Sequence, residues 1–195
     1  RLANESFNTI VNYSRSADSA SNTAEKCNAA GSDTLLGQCD VSNEAGVVSM
    51  LGDIEQKYGR LDVVVNNAGT SISTLAKNFD KVSEEEFDRV LAVNVKGMFL
   101  VAKHSKALLN EGIDPCIINT ASIVGLRPGP QPLPYSASKA AVISMTQSLS
   151  FALGPKVRVN AVAPGWMEGE WMERMLGENY EKLMERRAKM TPLKR

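Results

Sequence analysis

Histidine is nearly missing from this sequence: His104 stands alone among 195 residues. A metal site built on several histidines is thereby excluded. A Ser-His-Asp triad would have to use His104, and no G-x-S-x-G elbow is present to hold its serine. Cysteine is also scarce. The three cysteines, Cys27, Cys39 and Cys116, are widely spaced and form no C-x-x-C pair. Neither a disulfide framework nor a zinc site is expected, and no metal is assigned. Net charge is lacking too, because 22 Lys and Arg balance 22 Asp and Glu. That argues against nucleic acid or an anionic membrane surface as a partner. No apolar run approaches the roughly 20 residues of a membrane helix. The opening residues lack the basic start and apolar middle of a secretory signal, so a cytoplasmic location is expected.

What is present is alternation. Residues 8–13, 34–39, 61–66, 116–120 and 157–162 read as strands. Between them, helical patterns run over residues 18–30, 44–58, a long stretch opened by Ser83-Glu84-Glu85-Glu86, and 134–153. A last, strongly charged helix is expected over residues 171–189. Gly31 and Gly59 are good helix stops. Ser83 and Glu86 have the spacing of a capping box, and Pro134 suits a first helical turn. The apolar run Val63-Val64-Val65 does not alternate, as expected of a strand buried on both faces. Strand–helix alternation throughout predicts one α/β domain over residues 1–195, a doubly wound parallel sheet with right-handed crossovers. Ligands of such sheets bind at the carboxyl ends of the strands.

The residues with chemical potential lie at those ends. Asn66-Asn67-Ala68-Gly69 closes the third strand, where small residues permit close approach of a bulky ligand. By themselves they are equally a plain turn. Asn94 interrupts an apolar helix stripe, and is either a satisfied buried amide or a group that distorts the helix beside a site. Ser122 follows the fourth strand. Tyr135 and Lys139 stand four apart on a helix and so share a face. A free phenol, with a pKa of about 10, is a poor acid or base near neutrality. A neighbouring cation lowers that value, which is the tuning acid–base chemistry needs. A tyrosine and a lysine on a solvated face would look the same.

Taken together, these segments resemble the short-chain dehydrogenase/reductase family. The matching residues are Asn66-Asn67-Ala68-Gly69, Asn94 in Val93-Asn94-Val95, Ser122, Tyr135-Ser136-Ala137-Ser138-Lys139, and Arg158 to Gly165. The resemblance implies a Rossmann-like sheet and hydride transfer between a nicotinamide and a ketone or secondary alcohol. It makes Tyr135 the proton donor and acceptor and Ser122 the group that orients the carbonyl. Lys139 would bind the nicotinamide ribose and lower the Tyr135 pKa, and Asn94 would hold a relay water. It implies cofactor contacts from Asp40 and Val41 to the adenine, and from Asn66, Ala68, Gly69, Tyr135, Lys139, Pro164, Gly165 and Met167. Gly169 stands where the family often has a threonine. No acid occurs from Thr9 to Ser16, so the NAD-type contact to a ribose diol is missing. Ser14, Arg15 and Ser16 could instead hold a 2′-phosphate. NADP is therefore expected, with NAD the alternative. A homo-oligomer is implied as well.

The family's glycine-rich first turn, which cradles a pyrophosphate at a helix N-terminus, is absent from the start of this sequence. The resemblance thus implies a chain truncated at both ends, lacking the first, central strand and the last. A gap of about 10 Å in the sheet is expected, since neighbouring strands sit about 4.8 Å apart. Two unpaired edges would follow, making these residues alone prone to aggregation and weak in dinucleotide binding. For substrate, the resemblance points first to 3-oxoacyl groups on acyl carrier protein. Sugar, polyol or other alcohol dehydrogenases are the alternative, as is an inactive or non-enzymatic dinucleotide-binding relative. One pocket wall is expected from the stiff loop Leu126 to Pro134, which holds Pro128, Pro130, Pro132 and Pro134.

Overall fold

The structure is a computed structural model that describes residues 1–194, with Glu170 described by its backbone only. After a short 3-10 turn (Leu2–Glu5), β1 (Thr9–Tyr13), α1 (Ala17–Ala29), β2 (Thr34–Gln38), α2 (Glu44–Tyr58) and β3 (Val63–Asn66) alternate as expected. Then come α3 (Glu84–Leu91), a π-helical turn (Ala92–Gly97) and α4 (Met98–Asn110). The chain continues through β4 (Cys116–Thr120), α5 (Ile123–Leu126), α6 (Leu133–Leu153) and β5 (Arg158–Val162). It ends in α7 (Glu170–Leu176) and α8 (Tyr180–Met190), joined by a 3-10 turn. The single charged helix expected over residues 171–189 is thus broken, at Gly177, where φ is 52°. That left-handed backbone favours glycine and does not continue a right-handed helix.

All pairings among the described strands are parallel. β1 pairs with β2 from Thr9↔Thr34 to Tyr13↔Gln38. β3 pairs with β4 from Val63↔Cys116, and β4 with β5 from Cys116↔Arg158. These form two separate sheets, β1-β2 and β3-β4-β5. The expected gap is therefore present. Between the sheets lies a cavity of about 770 Å³, lined from both sides by Thr9, Ile10 and Asn12 and by Val63, Val64 and Val65. Val64 is buried, but Val65 is 49% exposed because it lines that cavity. The expectation of burial on both faces fails for it for that reason.

The main core joins α2, α4 and the three-stranded sheet through Val47, Leu51, Ile54, Leu109, Ile117 and Val159. Leu109 and Ile117 are wholly buried, so truncating either to alanine costs about 2–5 kcal/mol. The capping box forms as read. Ser83 Oγ accepts from Glu86 N at 3.2 Å, and Glu86 Oε2 accepts from Ser83 N at 3.1 Å. It fixes the start of the long α3–π–α4 rod that carries Asn94. His104 is a helix residue as expected, its Nε2 lying 2.7 Å from Glu44 Oε1, which also accepts from Lys103 Nζ at 2.7 Å. The three cysteines are free. Among the described residues no helix is long and apolar enough to cross a membrane.

Candidate active site

The carboxyl ends of β3, β4 and β5 and the middle of the α3–π–α4 rod converge on α6. Asn94, 2% exposed, sits in the π-helical turn. Such a turn shifts the backbone hydrogen-bond ladder and often marks a functional site. The Asn94 side chain makes three hydrogen bonds to protein. Its Oδ1 accepts from Thr70 N at 2.8 Å, and its Nδ2 donates to Thr70 O and to Ser138 Oγ, each at 2.9 Å. The two readings of Asn94 are thereby both realised: it is a satisfied buried amide, and its helix is distorted. The amide clamps the loop after Gly69 to α6.

Ser122 caps α5, a short helix not anticipated from the sequence. The missed signal is Gly125. A Cβ there would lie 2.6 Å from the carbonyl carbon of Lys139, so only glycine lets α5 rest directly on the α6 backbone. Ser122 Oγ lies 3.5 Å from Pro164 O, and Ile123 N donates to the same oxygen at 3.0 Å. The β4 and β5 ends are thus tied together. The Ser122 side chain is near enough to Tyr135 to pull its phenol pKa down.

Tyr135 is half-buried, and burial raises its phenol above the usual value, against a lowering pull from Ser122. Lys139 is 5% exposed, and burial lowers its ammonium to about 8. Lys139 Nζ donates to Thr120 O at 2.6 Å and lies 5.7 Å from the Tyr135 ring centroid. The expected lowering of the tyrosine by the lysine is not what this arrangement produces. The ammonium is directed at a backbone carbonyl, and desolvation of the phenol dominates. The raised value leaves the phenol protonated near neutrality and makes it a weaker acid than a free phenol.

A narrow cleft beside this pair is lined by Val41, Asn66, Ala68, Asn94, Thr120 and Lys139, among others. Asn66 Nδ2 is engaged with Asn119 Oδ1 at 2.9 Å. Asp40 is held by Ser42, with Oγ at 2.6 Å and N at 3.0 Å, and by Arg89 Nη1 at 3.1 Å. Those bonds hold its carboxyl low, at about 2. Gly165 and Met167 are exposed just beyond β5. Ser14, Arg15 and Ser16 lie at the end of β1 in the other sheet, at the head of α1, and do not line this cleft. The structure therefore gathers Val41, Asn66, Ala68, Asn94 and Lys139 into one cleft, with Tyr135 and Ser122 beside it.

The dinucleotide fit can be tested on Lys139 and Gly69. An ammonium has three donors, and among the described residues Lys139 uses one acceptor, Thr120 O. Its remaining donors are free for ribose hydroxyls. Gly69 lies beside this ammonium, its Cβ position 3.8 Å from Lys139 Nζ. The residues fit such a group.

Comparison with known proteins agrees with this geometry. A family model described as enoyl-(acyl carrier protein) reductase matches residues 1–195. A structure from Burkholderia xenovorans, described as a short-chain dehydrogenase/reductase, superposes with a TM-score of 0.90 at 29% identity, over 100% of this chain and 77% of that one. The chain belongs to the short-chain dehydrogenase/reductase family. It is 33% identical over 195 residues to a protein named as ketoacyl reductase 2 of the granaticin polyketide synthase of Streptomyces violaceoruber, covering 100% of this chain and 76% of the relative. It is 32% identical over 185 residues to a 3-oxoacyl-[acyl-carrier-protein] reductase of Staphylococcus aureus, covering 94% of this chain and 74% of the relative. The chain thus spans about three quarters of the length of these relatives, in keeping with a Rossmann-like sheet that has a gap. It is an oxidoreductase of this family.

Proposed function

We propose that this protein transfers hydride between NADP(H) and a ketone or secondary alcohol, with Tyr135, Ser122, Lys139 and Asn94 as its working residues. The carrying observation is geometric: the half-buried Tyr135 has the buried Lys139 Nζ 5.7 Å from its ring centroid, and Ser122 is near enough to influence its phenol. A bound nicotinamide would supply the hydride. Ser122 would donate to the carbonyl oxygen and hold it in line with the phenol. Tyr135 would give its proton to the oxygen as the carbonyl carbon is reduced, and take it back in the oxidative direction. Lys139 would bind ribose hydroxyls through its remaining donors. Asn94, in the π-helical turn, would help hold a relay water.

Asp40, Val41, Asn66, Ala68, Gly69, Pro164, Gly165 and Met167 would line the cofactor. Ser14, Arg15 and Ser16 would take a 2′-phosphate, which favours NADP over NAD. Homo-oligomerisation belongs to the same reading. Phe99 on α4 is 46% exposed and Phe151 on α6 is 89% exposed, and such apolar faces are commonly covered by a second subunit.

Among substrates, 3-oxoacyl thioesters come first, because the relatives named as ketoacyl and 3-oxoacyl reductases support carbonyl reduction. A sugar or polyol dehydrogenase is the second reading. The natural full-length protein, supplied with NADPH or NADH, should reduce a 3-oxobutanoyl thioester and show little oxidation of polyols. Binding of NADPH without turnover of any carbonyl would instead mark a non-enzymatic relative.

A further inference from the structure

The ring of Tyr135 does not face open solvent. Trp171, in the first turn of α7, lies against it with ring centroids 5.9 Å apart and planes inclined by 38°. Trp171 itself remains 40% exposed, so part of its indole is available to a ligand. The segment that carries it is braced on both sides. Trp166 packs on the guanidinium of Arg187, 4.7 Å from ring centroid to Cζ, and Gly169 N donates to Tyr180 Oη at 3.4 Å. The indole is thus a positioned surface against the Tyr135 ring rather than the tip of a free loop.

Exposed apolar residues stand close in the chain to Ser122, Tyr135 and Pro164. Ile123 follows Ser122 and is 43% exposed; Leu133 stands two residues before Tyr135 and is 45% exposed; Met167 is 60% exposed. The Ile123 and Pro164 backbones are bonded to each other, which holds two of these segments side by side. A polyol entering here would give up hydrogen bonds with water against apolar walls, which is unfavourable. A flat ring would meet an exposed indole face, and aromatic pairs gain beyond the area they bury.

Resting on the carbonyl-reductase reading above, we infer that Trp171 is a specificity-determining residue. It selects ketones whose carbonyl carbon bears a planar aromatic ring, with that ring against the indole while the oxygen reaches Tyr135 and Ser122. An aryl 3-oxo ester or thioester satisfies both the reactive group and the shelf.

Three 3-oxo esters of one reactive type separate the possibilities: ethyl benzoylacetate, ethyl 3-cyclohexyl-3-oxopropanoate and ethyl acetoacetate. The natural full-length protein is assayed with NADPH beside Trp171→Ala and Trp171→Phe. Trp171→Ala is expected to lower kcat/KM for the benzoyl ester by about tenfold, the order of an aromatic pair plus lost contact area. It should lower kcat/KM for the cyclohexyl ester less and that for acetoacetate least, and Trp171→Phe should restore most of the loss. Without turnover, ethyl benzoylacetate should quench the indole fluorescence of the unsubstituted protein more than that of Trp171→Ala, and the cyclohexyl ester should show a smaller difference between the two. Equal losses for all three esters, or no quenching, would overturn the shelf while leaving the reductase reading intact. Failure of the unsubstituted protein to reduce any of the three would instead overturn the reductase reading.

Discussion

Asn94 Nδ2 donates to Ser138 Oγ at 2.9 Å, and Ser138 Oγ in turn donates to Tyr135 O at 2.7 Å. A wholly buried serine thus links the π-helical turn to the α6 backbone at Tyr135. The same amide satisfies both backbone groups of Thr70, so it holds three segments in one geometry.

Replacing Asn94 by alanine should therefore leave buried groups without partners. Each orphaned group costs about 1–3 kcal/mol, and a domain of this size loses about 2–4 °C of Tm per kcal/mol. Thermal unfolding should show a clear drop for Asn94→Ala and a smaller one for Ser138→Ala. The double variant should lose less than the sum of the two, since both remove one shared bond. Strict additivity would argue that the two residues act separately.

Lys139 gives a pH signature. Its ammonium is lowered to about 8 in the folded protein from 10.5. Between those values the folded state has released a proton that the unfolded state still holds. Stability therefore rises with pH across this window, and the cost of the buried charge is present in full below it. Tyr135 works in the opposite sense above its ordinary value of 10.0, because burial keeps its proton on in the folded state. Denaturant titrations of Lys139→Met across pH 8 to 10 should lack the rise seen for the unsubstituted protein. An unchanged slope would place the titrating group elsewhere.

Asp40 responds at acid pH. Its folded carboxyl titrates at about 2 instead of 3.8, through Ser42 first and Arg89 after it. The stabilisation is present above 3.8 and is lost as pH falls toward 2. Asp40→Asn should flatten that part of the acid unfolding curve, and Arg89→Ala should flatten it less. Equal acid curves for Asp40→Asn and the unsubstituted protein would remove Asp40 from the account.

Arg15 tests the cofactor preference. Arg15→Ala should weaken NADPH binding by about tenfold or more, as expected for loss of a charge-assisted contact to phosphate, with little effect on NADH. Calorimetry with both dinucleotides reads this directly. Equal weakening of the two would place Arg15 away from the 2′-position.

Much of this was legible in the sequence, and for identifiable reasons. β4 (Cys116–Thr120) and α2 (Glu44–Tyr58) begin and end where the sequence places them. Each is bounded by strong signals, such as Asn43 accepting from Gly46 N at the head of α2 and Gly59 with φ 68° at its end. The approach of Tyr135 and Lys139 followed from helical spacing alone. The split sheet followed from the missing glycine-rich turn. What stayed hidden depends on tertiary contact. The Asn94 side chain in the π-helical turn bonds Thr70 and Ser138, both distant in sequence. The helix α5 rests on Gly125 meeting Lys139. The direction of the Tyr135 shift depends on how deeply α6 is buried, which local sequence does not state. The contact of Trp171 with Tyr135 joins two segments far apart in the chain.

The central claim is that the Tyr135 phenol delivers the proton while hydride reaches the carbonyl carbon. The most direct measurement is single-turnover oxidation of NADPH by the natural full-length protein with ethyl benzoylacetate, compared with Tyr135→Phe. The phenylalanine variant should bind NADPH with nearly unchanged affinity and lose about 10²–10⁴-fold in the rate of hydride transfer, the usual contribution of a positioned acid. Equal rates for the two proteins would contradict the account.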